Sequence, residues 1–210
     1  MFSFLKLKKR MPRMKGLEIL SLHVPKTGGT SFKAALEEVY PGGVHYDYDR
    51  SIVPPESAQV IHGHFPLKRY KQYWGKCEVI TWLRDPVDRI VSYYYFWKRT
   101  EPHGNPNHDR FLAEKMSLLE FAEFAPVRNE LFGEYLEDFD PGNFSFVGIM
   151  EQYDRDLVRL AKQMGWSRIP HYQKLNSSQR AVSISPEERA RINEIYREER
   201  ALYDSYADLQ

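Results

Sequence analysis

The chain has 210 residues, long enough for one domain with a sizeable core and too short for two large ones. Hydrophobic residues make up 42%, aromatic residues 14% and charged residues 28%, which argues against a disordered, collagenous or membrane-spanning chain. The formal net charge of +1 lacks the basic excess of a nucleic-acid binder, but it is unevenly spread. Residues 1–15 hold Lys6, Lys8, Lys9, Arg10, Arg13 and Lys15 with no acid. Removing these six from the 30 basic residues leaves 24 against 29 acidic, so the body is mildly acidic.

Phe2, Phe4, Leu5 and Leu7 stand before or among those charges, the reverse of a signal peptide's order, and no apolar run reaches the length of a membrane span. Cys77, the single cysteine, has no partner for a disulfide within the chain and reads as a small buried apolar residue. The expectation is a cytoplasmic protein with a basic, flexible tail over residues 1–16 and one domain over 17–210. Contact of that tail with an anionic membrane surface is the alternative to a solvated tail.

The first element is LEILSLHVP at 17–25, a strand that stops in the glycine-containing KTGGTS and gives way to SFKAALEEVY, apolar at helical spacing. AQVIHGHF at 58–65 and CEVITWLR at 77–84 have the length and β-branched content of buried strands. The second of these ends in Asp85-Pro86, an N-cap followed by proline at the first helical position. Val87, Ile90, Val91 and Tyr94 then form the stripe of a packed helix. Residues 100–111 are polar and rich in turn formers and read as a loop over a ligand. Ser117 and Glu120 have capping-box spacing, NFSFVGIM at 143–150 is another strand, and the next helix runs from Glu151 towards Gly165. Residues 167–184 read as irregular, and a last helix starts at Ser185-Pro186 with Ile192, Ile195, Leu202 and Tyr203 facing the body. Alternating strands and helices imply an α/β fold with a mostly parallel sheet flanked by helices.

The densest chemical signal is His23-Val-Pro-Lys-Thr-Gly-Gly-Thr-Ser31, between the first strand and the first helix. Gly28 and Gly29 let backbone approach an anion, the helix N-terminus points at it, and Lys26, Thr27, Thr30 and Ser31 add one cation and three hydroxyls. The lysine precedes both glycines, so this phosphate cradle is not a Walker A loop.

This loop resembles the 5′-phosphosulfate loop of the carbohydrate-type sulfotransferases. Trp82-Leu-Arg-Asp-Pro-Val-Asp-Arg-Ile-Val-Ser92 is similar to the same family's 3′-phosphate motif. The pattern is heparan sulfate 2-O-like. The resemblance implies a three-layer, P-loop-nucleotide-kinase-like fold and 3′-phosphoadenosine 5′-phosphosulfate (PAPS) as sulfuryl donor, with no metal required. It implies that Lys26, Thr27, Gly28, Gly29, Thr30 and Ser31 hold the 5′-phosphosulfate, and that Arg84 and Ser92 hold the 3′-phosphate. Arg84 suits this physically, because it stands at a strand's C-terminal end and its planar fork matches a phosphate. Arg89, one turn before Ser92, is either an assistant or a surface ion-pair partner. Asn176, Ser177 and Arg180 fall where relatives carry a loop over the nucleotide.

His62 and His64 end the second apolar run, and residues two apart in a strand share a face. An imidazole there has the right affinity to take an acceptor hydroxyl's proton. In the sulfotransferases acting on uronic acid units a similar His-x-His pair supplies the base, so His64 is the first choice and His62 its helper, the order within the pair being open. A metal pair lacks a third ligand at matching spacing, with His23, His45 and Cys77 scattered. Glu37, Glu38, Asp47 and Asp49 are the acids to search if a carboxylate serves instead; each otherwise reads as a surface charge. Trp82 reads as core, and the run Tyr93 to Trp97 is expected to pack partly inward and partly against the acceptor.

The expected activity is therefore transfer of a sulfuryl group from PAPS to a hydroxyl of a sugar, glycolipid or small metabolite. The alternatives are a P-loop-like nucleotide kinase and a non-catalytic protein binding PAPS or its product, adenosine 3′,5′-bisphosphate (PAP).

Overall fold

The computed structural model describes residues 16–48, 53–171 and 184–207. Five strands, β1 (Ile19–Leu22), β2 (Val44–Asp47), β3 (Val60–Gly63), β4 (Glu78–Leu83) and β5 (Phe146–Ile149), form one wholly parallel sheet in the order β2-β3-β1-β4-β5. Every residue of β1, β3 and β5 is buried, the expected state of a parallel sheet covered on both faces. β2 was not foreseen from its sequence. It is an edge strand of four residues, three of them only half-buried, and it has no apolar run to announce it.

Alternation along the strands divides the core. Ile19, Val60, Ile80, Trp82 and Phe146 face helices α1 (Gly29–Val39) and α6 (Tyr153–Gln163), which contribute Phe32, Ala35 and Leu36 and then Tyr153, Leu157 and Leu160. Leu20, Leu22, Ile61, Val79, Leu83, Val147 and Ile149 face the other way, towards Leu67, Tyr70, Leu131, Leu136, Phe139 and the last helix, α8 (Arg197–Ala207). A third cluster joins α2 (Pro86–Arg99) to α3 (Pro106–Ala113), α4 (Leu118–Glu123), α5 (Ala125–Arg128) and α7 (Pro186–Ile195). The capping signals act as read: Asp85 accepts from the Asp88 amide, and Ser117 with Glu120 and Ser185 with Glu188 form capping boxes.

Two expectations are corrected. Residues 106–111 are helix, not loop, because Asn105 accepts from the amides of Asn107 and His108, Pro106 takes the first helical position, and His108 and Phe111 supply a buried face. The last helix is two, broken at Tyr196. Tyr196 is buried and donates its hydroxyl to the Ala122 carbonyl at 3.0 Å, and the turn there lets α8 carry Glu199 under α2. The tail expected over 1–16 lies, except for Gly16, outside the described residues. No helix among the described residues is long and apolar enough to cross a membrane.

Candidate functional site

All five strands point their C-terminal ends the same way, which is where parallel α/β sheets bind ligands. A cleft of about 1000 Å³ opens there, at the upper end of the usual range for ligand sites. It is lined by the β1–α1 loop, the end of β4, the outer face of α2, the end of β5 and the turn before α6.

The loop is built for close approach. Lys26 takes a left-handed conformation at φ 70°, and Gly28 another at φ 89°, so the chain reverses tightly into α1. A Cβ on Gly28 would lie 2.4 Å from Met150 Sδ, and one on Gly29 would lie 1.9 Å from His23 Nε2. The first amides of α1 have no carbonyl ahead of them within the helix and present their N–H groups at its mouth. The cradle fits an anionic group, since a cation, glycine backbone and a helix N-terminus converge on one volume.

The sequence-predicted residues divide. Lys26, Gly28, Gly29, Thr30, Ser31, Arg84, Ser92 and His64 all line the cleft. Thr27 does not: it is buried and its hydroxyl donates to the Val24 carbonyl at 2.8 Å, closing the loop from beneath. Lys26 Nζ lies 4.3 Å from the Phe96 ring centre, and burial, followed by the charges of Arg99 and Arg84, lowers its pKa. Arg84 Nη1 donates to the Lys26 carbonyl at 3.4 Å, tying the two cationic residues together. Asn176, Ser177 and Arg180 lie outside the described residues, as does Asp49.

His62 and His64 do approach a common neighbour. The His23 ring lies 5.2 Å from His62 and 4.4 Å from His64, nearly parallel to both. His62 is buried, pairs through Nδ1 with the Ser21 hydroxyl at 2.9 Å, and does not line the cleft. Burial, aided by the nearby charges of His64 and Lys33, lowers its pKa to about 3. His64 lines the cleft, and its Nδ1 meets the His23 carbonyl at 2.5 Å. A carbonyl only accepts, so Nδ1 carries the proton and Nε2 is the basic nitrogen.

Arg89 is neither an exposed ion pair nor a cleft residue. It is 1% exposed and grips Glu199 with two hydrogen bonds of 2.5 and 2.7 Å, because α8 packs its carboxylate against α2. Asp47 is likewise buried, held by the Tyr70 hydroxyl at 2.7 Å and by Arg69, and neither it nor Glu37 nor Glu38 reaches the cleft. Trp82 is core, stacked 4.4 Å from Tyr153. Of the aromatic run, Tyr93, Tyr94 and Trp97 pack inward while Phe96 stays 43% exposed at the cleft. Burial raises the Cys77 thiol to about 11.

Sequence reading missed Arg99, Glu130, Tyr135 and the stretch Met150 to Arg155, all on the cleft wall. The last of these had a usable signal, since it follows the fourth apolar run and so stands at a strand's C-terminal end. Among the described residues no group of three or more His, Cys, Asp or Glu is arranged to hold a metal ion.

The sulfotransferase domain model matches residues 8–165. A sulfotransferase from Alicyclobacillus acidocaldarius has a similar crystal structure, with a TM-score of 0.53 and 14% identity, covering 90% of this chain and 94% of that one. The mouse sulfotransferase SULT7A1, solved in complex with PAP, gives 0.49 and 14% identity over 91% of this chain and 90% of that one. No curated protein sequence matches. With three quarters of the chain inside the family's domain, and a parallel α/β fold that carries an anion loop at its strand ends, the protein belongs to the sulfotransferase family.

Proposed function

We propose that this protein transfers the sulfuryl group of PAPS to a hydroxyl of a carbohydrate or glycoside by in-line displacement, with His64 as general base. The observation that carries this reading is the meeting, in one cleft, of the Lys26–Ser31 cradle, the strand-end Arg84, the helix-borne Ser92 and a tautomerically fixed imidazole.

PAPS supplies the sulfuryl group, with a 3′,5′-bisphosphate as its leaving nucleotide. Arg84 and Ser92 fit the 3′-phosphate, an arginine fork and a hydroxyl on adjacent elements. Lys26 and the first amides of α1 face charge that grows on the departing 5′-phosphate. The lowered Lys26 pKa eases a proton's movement towards that oxygen. His64 takes the acceptor hydroxyl's proton on Nε2 while its Nδ1–H stays bound to the His23 carbonyl. His62 has no path to the acceptor. It acts as a positioning residue, backing the His23 ring against which His64 stacks.

The test is sulfuryl transfer from radiolabelled PAPS to a library of hydroxyl acceptors, preceded by calorimetric titration with PAP. Labelled product with wild-type protein and none with His64→Ala supports the reading. PAP binding without transfer to any acceptor would leave a nucleotide-binding protein, and magnesium-dependent ATP turnover would indicate a kinase.

A further inference from the structure

One imidazole of the cleft has no task in the mechanism above beyond its place in a stack. His23 follows the last residue of β1, lines the cleft and is half-buried. Its Nδ1 meets the hydroxyl of Tyr48, a residue 42% exposed, at 3.0 Å. Its Nε2 has no hydrogen-bond partner among the described residues, and unlike Nε2 of His62 it is not sealed from the cleft. The end of the ring that carries Nε2 lies against Gly29, the first residue of α1, where an added Cβ would stand 1.9 Å away. The same ring lies 4.4 Å from that of His64. His23 therefore reaches from the base to the mouth of the anion loop.

The position of its proton follows from its partner. A phenol hydroxyl is a good donor and a poor acceptor, because its oxygen lone pair is drawn into the ring, and a neutral imidazole offers one bare nitrogen to receive it. Burial, followed by the charges of His62, His64 and Lys26, lowers the His23 pKa well below its ordinary value, so the ring is neutral at pH 7. Burial also raises the Tyr48 pKa to about 12, so the phenol keeps its proton. Tyr48 donates to Nδ1, and the one ring proton of His23 sits on Nε2.

We propose that His23 is a second catalytic imidazole, whose Nε2–H donates to an oxygen of the sulfuryl group as that group passes from donor to acceptor. This rests on the sulfotransferase reading and deepens it. In-line displacement puts sulfur between the attacking oxygen, held at His64, and the leaving oxygen, held at Lys26 and the first amides of α1. His23 touches both ends, so its donor stands beside the three oxygens that stay on sulfur, which share the transition-state charge as the equatorial oxygens of a phosphoryl group do. The acceptor oxygen bonds to sulfur, the bond from sulfur to the 5′-phosphate oxygen breaks with its electron pair leaving on the phosphate, and the acceptor proton passes to His64. His23 keeps its own proton throughout.

The test compares PAPS with PAP, which lacks the sulfuryl group, by calorimetry without acceptor, and adds steady-state kinetics. His23→Phe keeps a ring in the stack but has no N–H, so kcat should fall by about 10²–10³. In the same variant the PAPS-to-PAP affinity ratio should shift against PAPS by about five- to ten-fold, with PAP affinity held within about three-fold. His23→Gln, which carries an amide N–H at similar reach, should turn over at least about ten-fold faster than His23→Phe. Wild-type kcat or an unchanged ratio in His23→Phe, or equal turnover in the two variants, would overturn the proposal. If neither folds, the exposed Tyr48→Phe decides it: with the tautomer no longer fixed, kcat should fall about five-fold at unchanged PAP affinity, and unchanged kcat would overturn the assignment. Failure of wild-type protein to bind PAP or to transfer the sulfuryl group would instead defeat the sulfotransferase reading, and is seen before any variant is made.

Discussion

Replacing Gly29 by alanine should disable the anion loop through one steric contact. The added methyl would sit 1.9 Å from His23 Nε2 and 2.1 to 2.2 Å from the neighbouring ring carbons, where ordinary contact begins near 3.4 Å. Something must yield by about 1.5 Å, and a close-packed interior has no such slack. The imidazole is poorly placed to yield, because it lies between the His62 and His64 rings and its Nδ1 is bonded to the Tyr48 hydroxyl at 3.0 Å. The displacement therefore passes to the start of α1 and its amides. A misplacement of about 1 Å costs on the order of 10² in rate, so kcat/KM should fall about 100-fold and the Kd for PAP should rise at least ten-fold. Calorimetry with PAP on Gly29→Ala, His23→Ala and the double variant checks the cause as well as the effect. The double variant should recover most of the PAP affinity, since the obstructing ring is gone. Wild-type affinity in Gly29→Ala, or no recovery in the double variant, would refute the reasoning.

Lys26→Ala should lower kcat by on the order of 10²–10³ while PAP affinity changes less, because the lysine faces charge that develops only during transfer; steady-state kinetics beside PAP titration separates the two. His64→Ala should reduce turnover by about 10²–10⁴ with PAP affinity retained, and His62→Ala should cost less in turnover than in thermal stability; kinetics and melting curves of both variants decide. Glu130 has a folded pKa of about 7 against a reference of 4.5, so the folded state binds the extra proton between those values. Its contribution to stability is therefore present at low pH and lost as pH rises through about 7. Glu130→Gln should gain on wild type by up to about 3 kcal/mol between pH 5 and pH 8 in urea titrations, and a constant difference would contradict the raised pKa.

The readable part of the site was local in sequence. Lys26, Gly28, Gly29 and Ser31 sit between a strand and a helix, and Arg84 and Ser92 flank an Asp-Pro cap, so chemistry and punctuation fall within a few residues of each other. Position along a strand also placed His64 correctly at a sheet end, but it could not separate His64 from His62. That difference arises from Ser21 and His23 on the neighbouring strand and loop, which draw one ring inward and hold the other at the cleft. Arg89 and Glu130 were illegible for a similar reason. Arg89 is met by Glu199, 110 positions away, where the chain has broken at Tyr196, and Glu130 meets the same arginine from a separate turn. The polar stretch beyond Thr100 misled because composition hides a cap: Asn105-Pro106 starts a helix whose buried face is only His108 and Phe111.

The most direct measurement is calorimetric titration of wild-type protein and Arg84→Ala with PAP and with adenosine 5′-monophosphate, without added metal. Two charge-assisted contacts from Arg84 and Ser92 to a 3′-phosphate are worth about 3 kcal/mol, so wild-type protein should bind PAP about 100-fold tighter than the monophosphate. Arg84→Ala should lose most of that advantage while keeping its affinity for the monophosphate. Equal affinity of wild-type protein for the two nucleotides would contradict a PAPS-dependent sulfotransferase.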